Sequence, residues 1–170
     1  MSVTEPLERA IAVAKQVLAG VSNEDLDKPT PCASWDVRAV LNHVIGGQDF
    51  FVNAVTGESP NIVEGGTDFA SGEYRLAFDE GSAAALAAFG APGVLEKTLN
   101  MPWGAMPGGA VMGLAATDVL THSWDLAKAT GQSTDLDPEL SAQLLEGSKA
   151  AVQDAFRGPD GSGAPFGPKQ

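Results

Sequence analysis

From Ala110 to Thr130 the chain contains no proline and a single glycine, Gly113, and Gly131 closes the run. Val111, Leu114, Ala115, Val119, Leu126 and Ala129 recur there at helical spacing. The glycine stands where a helix ends in the left-handed conformation. The stretch is therefore predicted to form one long amphipathic helix, which must bury its apolar stripe against other elements. This requirement directs the rest of the chain toward helix packing.

The neighbouring segments agree. Helix one is predicted from about Thr4 to Leu18, with Thr4 as cap, Pro6 in the first turn, and Leu7, Ala10, Ile11, Ala14, Val17 and Leu18 inward. A turn-rich, proline-stiffened connection follows from Val21 to Trp35. Helix two starts at the cap residue Asp36 and runs through Val37, Val40, Leu41, Val44 and Ile45 to Phe50, Phe51 and Val55, stopping at Gly57. Gly46 and Gly47 lie inside it, each costing about 1 kcal/mol relative to Ala, so the spacing implies either needed room or a close helix contact. A loop is expected over Ser59 to Asp68 and a third, alanine-rich helix over roughly Ser71 to Phe89. Val94 to Met101 reads as a short strand. The turn-dense Pro102 to Gly109 segment suits a small hairpin or the wall of a pocket.

Helix five is predicted from Pro138, capped by Asp137, to Phe156, with Leu140, Leu144, Leu145, Ala151, Val152 and Ala155 on its apolar side. Residues 157–170 are rich in glycine and proline and are expected to be extended or mobile. The expected architecture is an all-α bundle over residues 1–156, with one β-hairpin between helices three and four and a tail after it.

Charge narrows the possible partners. With 10 basic and 22 acidic residues the net charge is −12, which argues against nucleic acid and anionic lipid as partners. No apolar run reaches the ~20 residues of a membrane span, and Met1 to Pro6 show no basic leader. The single cysteine, Cys32, excludes an internal disulfide. A cytoplasmic location fits these features.

The chemistry-bearing residues are few. Asp118 and His122 are one turn apart on the long helix, and Asp125 falls on the same stripe. The other histidine, His43, lies on helix two. If the two helices are neighbours, His43, Asp118 and His122 can form a three-ligand metal site with room for water. Two ordinary hydrogen-bonded histidines are the alternative, and spacing alone leaves both open. Asp125 is either an outer partner that orients a ligand or a structural carboxylate. Trp124 is expected in the core. Trp35 and Trp103 are expected to pack there too, with a pocket wall as the alternative. Cys32 is expected as a small buried thiol. Arg38 is either a solvated arginine or a contact for an anionic substrate. Residues Ala83 to Ala88 offer a face through which a homodimer can form.

The segment Thr30-Pro31-Cys32-Ala33-Ser34-Trp35-Asp36-Val37-Arg38-Ala39-Val40-Leu41-Asn42-His43-Val44-Ile45-Gly46-Gly47 resembles the opening of the second helix in DinB-like metal-binding proteins. It more closely resembles the actinobacterial branch typified by the N-terminal domain of mycothiol-dependent maleylpyruvate isomerase. Asp118 to Gly131 resembles that branch's fourth-helix motif. The likeness spans roughly Leu7 to Phe156. It implies a four-helix bundle holding a divalent metal, zinc or nickel, at one end, with His43, Asp118 and His122 at the ligand positions. Many relatives have histidine where this chain has Asp118, and the isomerase has glutamate. Ending at Gln170, the chain is expected to lack the isomerase's C-terminal domain, so maleylpyruvate isomerisation itself is not the expected reaction.

Two imidazoles and a carboxylate suit zinc with one position open for water or a thiol. The resemblance favours a thiol such as mycothiol, attacking a small-molecule electrophile in a transferase or isomerase reaction. A non-catalytic metal-binding module and a metal-dependent hydrolase are the alternatives.

Overall fold

Helix capping sets the element boundaries. In a computed structural model, which describes residues 2–58, 66–152, 154–159, 162 and 167, Asp36 accepts the Ala39 backbone N–H at 2.8 Å. This opens α2, Val37–Thr56, which Gly57 closes with φ at 85°. Asp137 likewise accepts from Leu140 and opens α5, Pro138–Ala151. Thr4 precedes α1, Glu5–Ala19, but makes no side-chain cap bond. Its hydroxyl instead donates to Glu8 at 2.6 Å, so the expected cap is replaced by a side-chain pair. The other helices are α3, Tyr74–Phe89, and α4, Gly108–Ala129. Gly131, with φ at 72°, follows α4 as expected.

Some boundaries differ from expectation. Helix three starts at Tyr74 rather than about Ser71, after a 3-10 turn, Phe69–Ser71, and the two residues Gly72 and Glu73. Helix five stops at Ala151, and a 3-10 turn, Asp154–Phe156, stands where its last turn was expected. The expected loop across residues 59–65 lies outside the described residues. So do tail residues 160, 161, 163–166 and 168–170.

Helices α1 to α4 form the expected four-helix core. α1 packs on α4 and α3, while α2 packs on α3 and α4. α5 lies against α4, and the Arg9 guanidinium ties its start to α1 by donating to both Asp137 oxygens, at 2.8 and 3.1 Å. Phe78, Phe89, Leu7, Leu41 and Leu126 fill the centre, each fully buried. Close approach explains Gly81, where a Cβ would come within 3.0 Å of Gln48 on α2. The two glycines of α2 need no such reason, because a Cβ at Gly46 or Gly47 would make only ordinary contacts.

Between α3 and α4 the chain forms an antiparallel hairpin of β1, Thr98–Met101, and β2, Gly104–Pro107, in register Thr98 with Pro107. β1 is shorter than the predicted strand because residues 91–97 turn instead, with Lys97 N–H bonded to the Gly93 and Val94 carbonyls. Leu99 and Met101 point into the core. The hairpin feeds straight into α4, where Gly108 and Gly109 donate to Lys97 and Leu95, both at 2.8 Å. A Cβ on Gly108 would overlap the Val94 carbonyl, so this junction requires glycine.

Three outward side chains correct the predicted core. Trp124 is 41 % exposed. It shares the outer stripe of α4 with Thr117, Thr121 and Lys128, at i, i+4, i+7 and i+11, so the helical period overrides its hydrophobicity. Leu145 is 53 % exposed beside the buried Leu144. Ala155 is exposed as well.

The α1–α2 connection carries its own polar clamp. Asp25 accepts from Lys28 Nζ at 2.6 Å and from the Ser22 N–H and hydroxyl, both at 2.8 Å. The Lys28 hydrogen bond first, then those from Ser22, hold its carboxyl down at about 2. A depressed carboxylate stabilises the fold above its unfolded pKa and stops doing so as pH falls through the folded value. An Asp25→Asn variant is therefore expected to be less stable than wild type at pH 6. The gap should close as pH falls from about 4 to about 2, which urea unfolding at stepped pH would read.

Candidate metal centre

α2 and α4 lie side by side, and the 75 residues between His43 and Asp118 are spanned by their contact. His43 Nε2 is 3.1 Å from Asp118 Oδ1. His122, one turn along α4, places Nε2 3.6 Å from the same oxygen. The two imidazole rings meet edge to face with centroids 4.7 Å apart. The ligand-type atoms of His43, Asp118 and His122 all lie within 4.8 Å of one another. All three candidate ligands, the Asp118 and His122 pair of α4 and His43 of α2, thus converge in one place.

Burial and electrostatics add detail. The side chains of Asp118 and His122 are 24 % and 14 % exposed, and that of His43 is 32 % exposed. Asp118 Oδ2 is buried without a hydrogen-bond partner, a state shared among the described residues only by Ser82 Oγ and Arg157 Nε. An unpaired buried carboxylate oxygen costs on the order of 1–3 kcal/mol or more, and a cation in this position would satisfy it. Burial pushes the Asp118 carboxyl upward, but the charge and hydrogen bond of His43, with the charge of His122, outweigh it and hold the group below its usual range. Burial works against the His122 imidazolium. Hydrogen bonds with Asp125 and Cys32, then the charges of Asp118 and Asp125, overcome that and push it up to about 10.

The loop before α2 completes the surroundings. The Trp35 ring lies 4.7 Å from the His43 ring and 5.6 Å from that of His122. It is partly buried against the core and also walls the site, so both expected roles hold together. Trp103 instead stacks on Phe50 at 6.0 Å and donates its indole N–H to Met106 Sδ. Cys32 is half-buried rather than buried, and its thiol donates to Asp125 Oδ2 at 3.3 Å. No spacing rule links positions 32 and 125, so this contact was not legible in the sequence. Arg38 is paired with Asp68 at 2.9 Å on the surface. It lines a surface depression of about 450 Å³ with Asn23, Leu26 and Ser71, and that depression touches none of the three converging residues.

The bundle and this His–Asp–His convergence define a helical protein with a candidate metal centre between its second and fourth main helices. Residues 7–127 match the family model described as the mycothiol maleylpyruvate isomerase N-terminal domain, and the chain belongs to that family. Uncharacterised proteins from two Mycobacterium tuberculosis strains, CDC 1551 and H37Rv, are each 40 % identical over 161 residues, covering 94 % of this chain and 82 % of theirs. The crystal structure of the mycothiol-dependent maleylpyruvate isomerase has the same fold. Its TM-score is 0.70 at 16 % identity, over 100 % of this chain and 82 % of that one. Among the described residues, no helix is long and apolar enough to cross a membrane.

Proposed function

We propose that this chain is a metal-dependent protein that uses a low-molecular-weight thiol in a transferase or isomerase reaction, with His43, Asp118 and His122 as the metal ligands. The unpartnered Asp118 Oδ2 beside two facing imidazoles carries the reading. Two nitrogens and one carboxylate oxygen suit zinc, with nickel the next candidate, and leave a position for an exogenous ligand. Family membership supports a thiol of the mycothiol type as that ligand. A bound divalent ion would keep such a thiol as thiolate at neutral pH, the form that attacks an electrophilic carbon.

The protein's own groups do the rest. His43, half exposed on α2, leaves the site open on its side. Trp35 packs at a tilt against both imidazoles and bounds the site on that flank. Asp118 would hold the ion through its carboxylate and offset part of its charge.

Cobalt(II) substitution tests the proposal. The loaded protein is expected to show visible bands of a four-coordinate ion and to gain a sulfur-to-cobalt charge-transfer band when mycothiol is added. Thiol conjugation to a model electrophile should then depend on the metal. Metal binding without a thiol band or turnover would leave a metal-binding module. Turnover of an ester without thiol would point to a hydrolase. Absence of stoichiometric metal would remove the proposal altogether.

A further inference from the structure

His122 has two ring nitrogens with different surroundings. Nε2 lies on the side of Asp118 and His43. Nδ1 points the other way, 2.9 Å from Asp125 Oδ2. Asp125 is 5 % exposed, and the same oxygen accepts the Cys32 thiol. Cys32 is itself held by its loop. Its backbone N–H donates to Thr30 Oγ1 at 3.1 Å, and that hydroxyl lies 2.7 Å from the Trp35 carbonyl. The loop that walls the site with Trp35 therefore also anchors, through Cys32, the carboxylate behind His122.

An imidazole can present either nitrogen, and the hydrogen bond made by one decides which is free for an ion. We propose that Asp125, steadied by Cys32, is a positioning residue that keeps the proton on His122 Nδ1 and aims Nε2 at the ion shared with His43 and Asp118. The inference rests on the metal reading above and deepens it. It also decides between two donor sets, because Cys32 Sγ, His122 Nδ1 and Asp125 Oδ2 are gathered as closely as the first three. In the second set Asp125 would be a ligand. In the proposed arrangement it never touches the ion.

The test is zinc affinity of the full chain, measured against a competing chelator, with nitrogen-15 NMR of the histidine rings in the zinc-loaded state. Asp125→Ala is expected to weaken zinc about 10- to 100-fold and to lose a slowly exchanging Nδ1–H signal from His122. Asp125→Asn keeps an acceptor oxygen but loses the charge, so a smaller loss of about 3- to 10-fold with the signal retained is expected. Cys32→Ser keeps a donor and should bind within about 3-fold of wild type.

Unchanged zinc affinity in Asp125→Ala, whatever its melting temperature, would assign Asp125 a purely structural role and overturn the inference alone. Cys32→Ser losing more affinity than His43→Ala would place the ion on the Cys32 set and also overturn it. A wild-type chain that takes up no zinc would overturn the metal reading and this inference with it.

Discussion

His122→Ala is expected to lose zinc. The imidazole is one of three proposed ligands, and removing a ligand should cost more than the about 10- to 100-fold typical of losing an outer partner. His43→Ala should do the same from the other helix. It is the cleaner variant, because the His43 side chain is more exposed than that of His122, 32 % against 14 %. Trp124→Ala, on the outer face of α4, should leave affinity unchanged. Competition with a chelator of known affinity measures all three.

The pH dependence has a definite sign. In the metal-free chain His122 holds its proton up to about 10. An ion must displace that proton, so apparent affinity should climb about tenfold per pH unit through neutrality and level off above that value. A wild-type affinity that is flat between pH 6 and pH 8 would contradict the assignment of His122 as ligand.

Phe78→Ala carries the largest expected stability loss. Its ring sits at 0 % exposure on α3, in the core that α3 shares with α2 and α1. Deleting a buried phenylalanine side chain removes its transfer free energy and leaves a cavity, about 3–5 kcal/mol together. For a chain of this size that lowers the melting temperature by roughly 6–20 °C. Leu76→Ala on the same helix is the control. Leu76 is 56 % exposed, so the change should stay within about 0.5 kcal/mol. Calorimetry on both separates burial from helix propensity, since alanine is favoured in either position.

Much of this was legible from local rules. The caps Asp36 and Asp137, the terminators Gly57 and Gly131, and the inward stripes of α1 and α2 follow from short-range geometry and hold in the structure. Where one local signal opposed another, the reading failed. Hydrophobicity alone points Trp124 and Leu145 inward, whereas their helical phase turns them out. Thr4 has a capping side chain, but Glu8 one turn on competes for its hydroxyl.

Residue periodicity alone makes this chain a helical bundle and puts Asp118, His122 and Asp125 on one stripe of α4, because helical period fixes neighbours up to two turns apart. What faces that stripe follows from how the helices pack. Tertiary packing brought His43 within 3.1 Å of Asp118, set Trp35 against both imidazoles, and placed the Cys32 thiol against Asp125. The contacts made to α4 join residues 75 to 93 positions apart. At such separations no backbone periodicity links two residues, and only the packing of α2, α4 and the loop before α2 determines their distance.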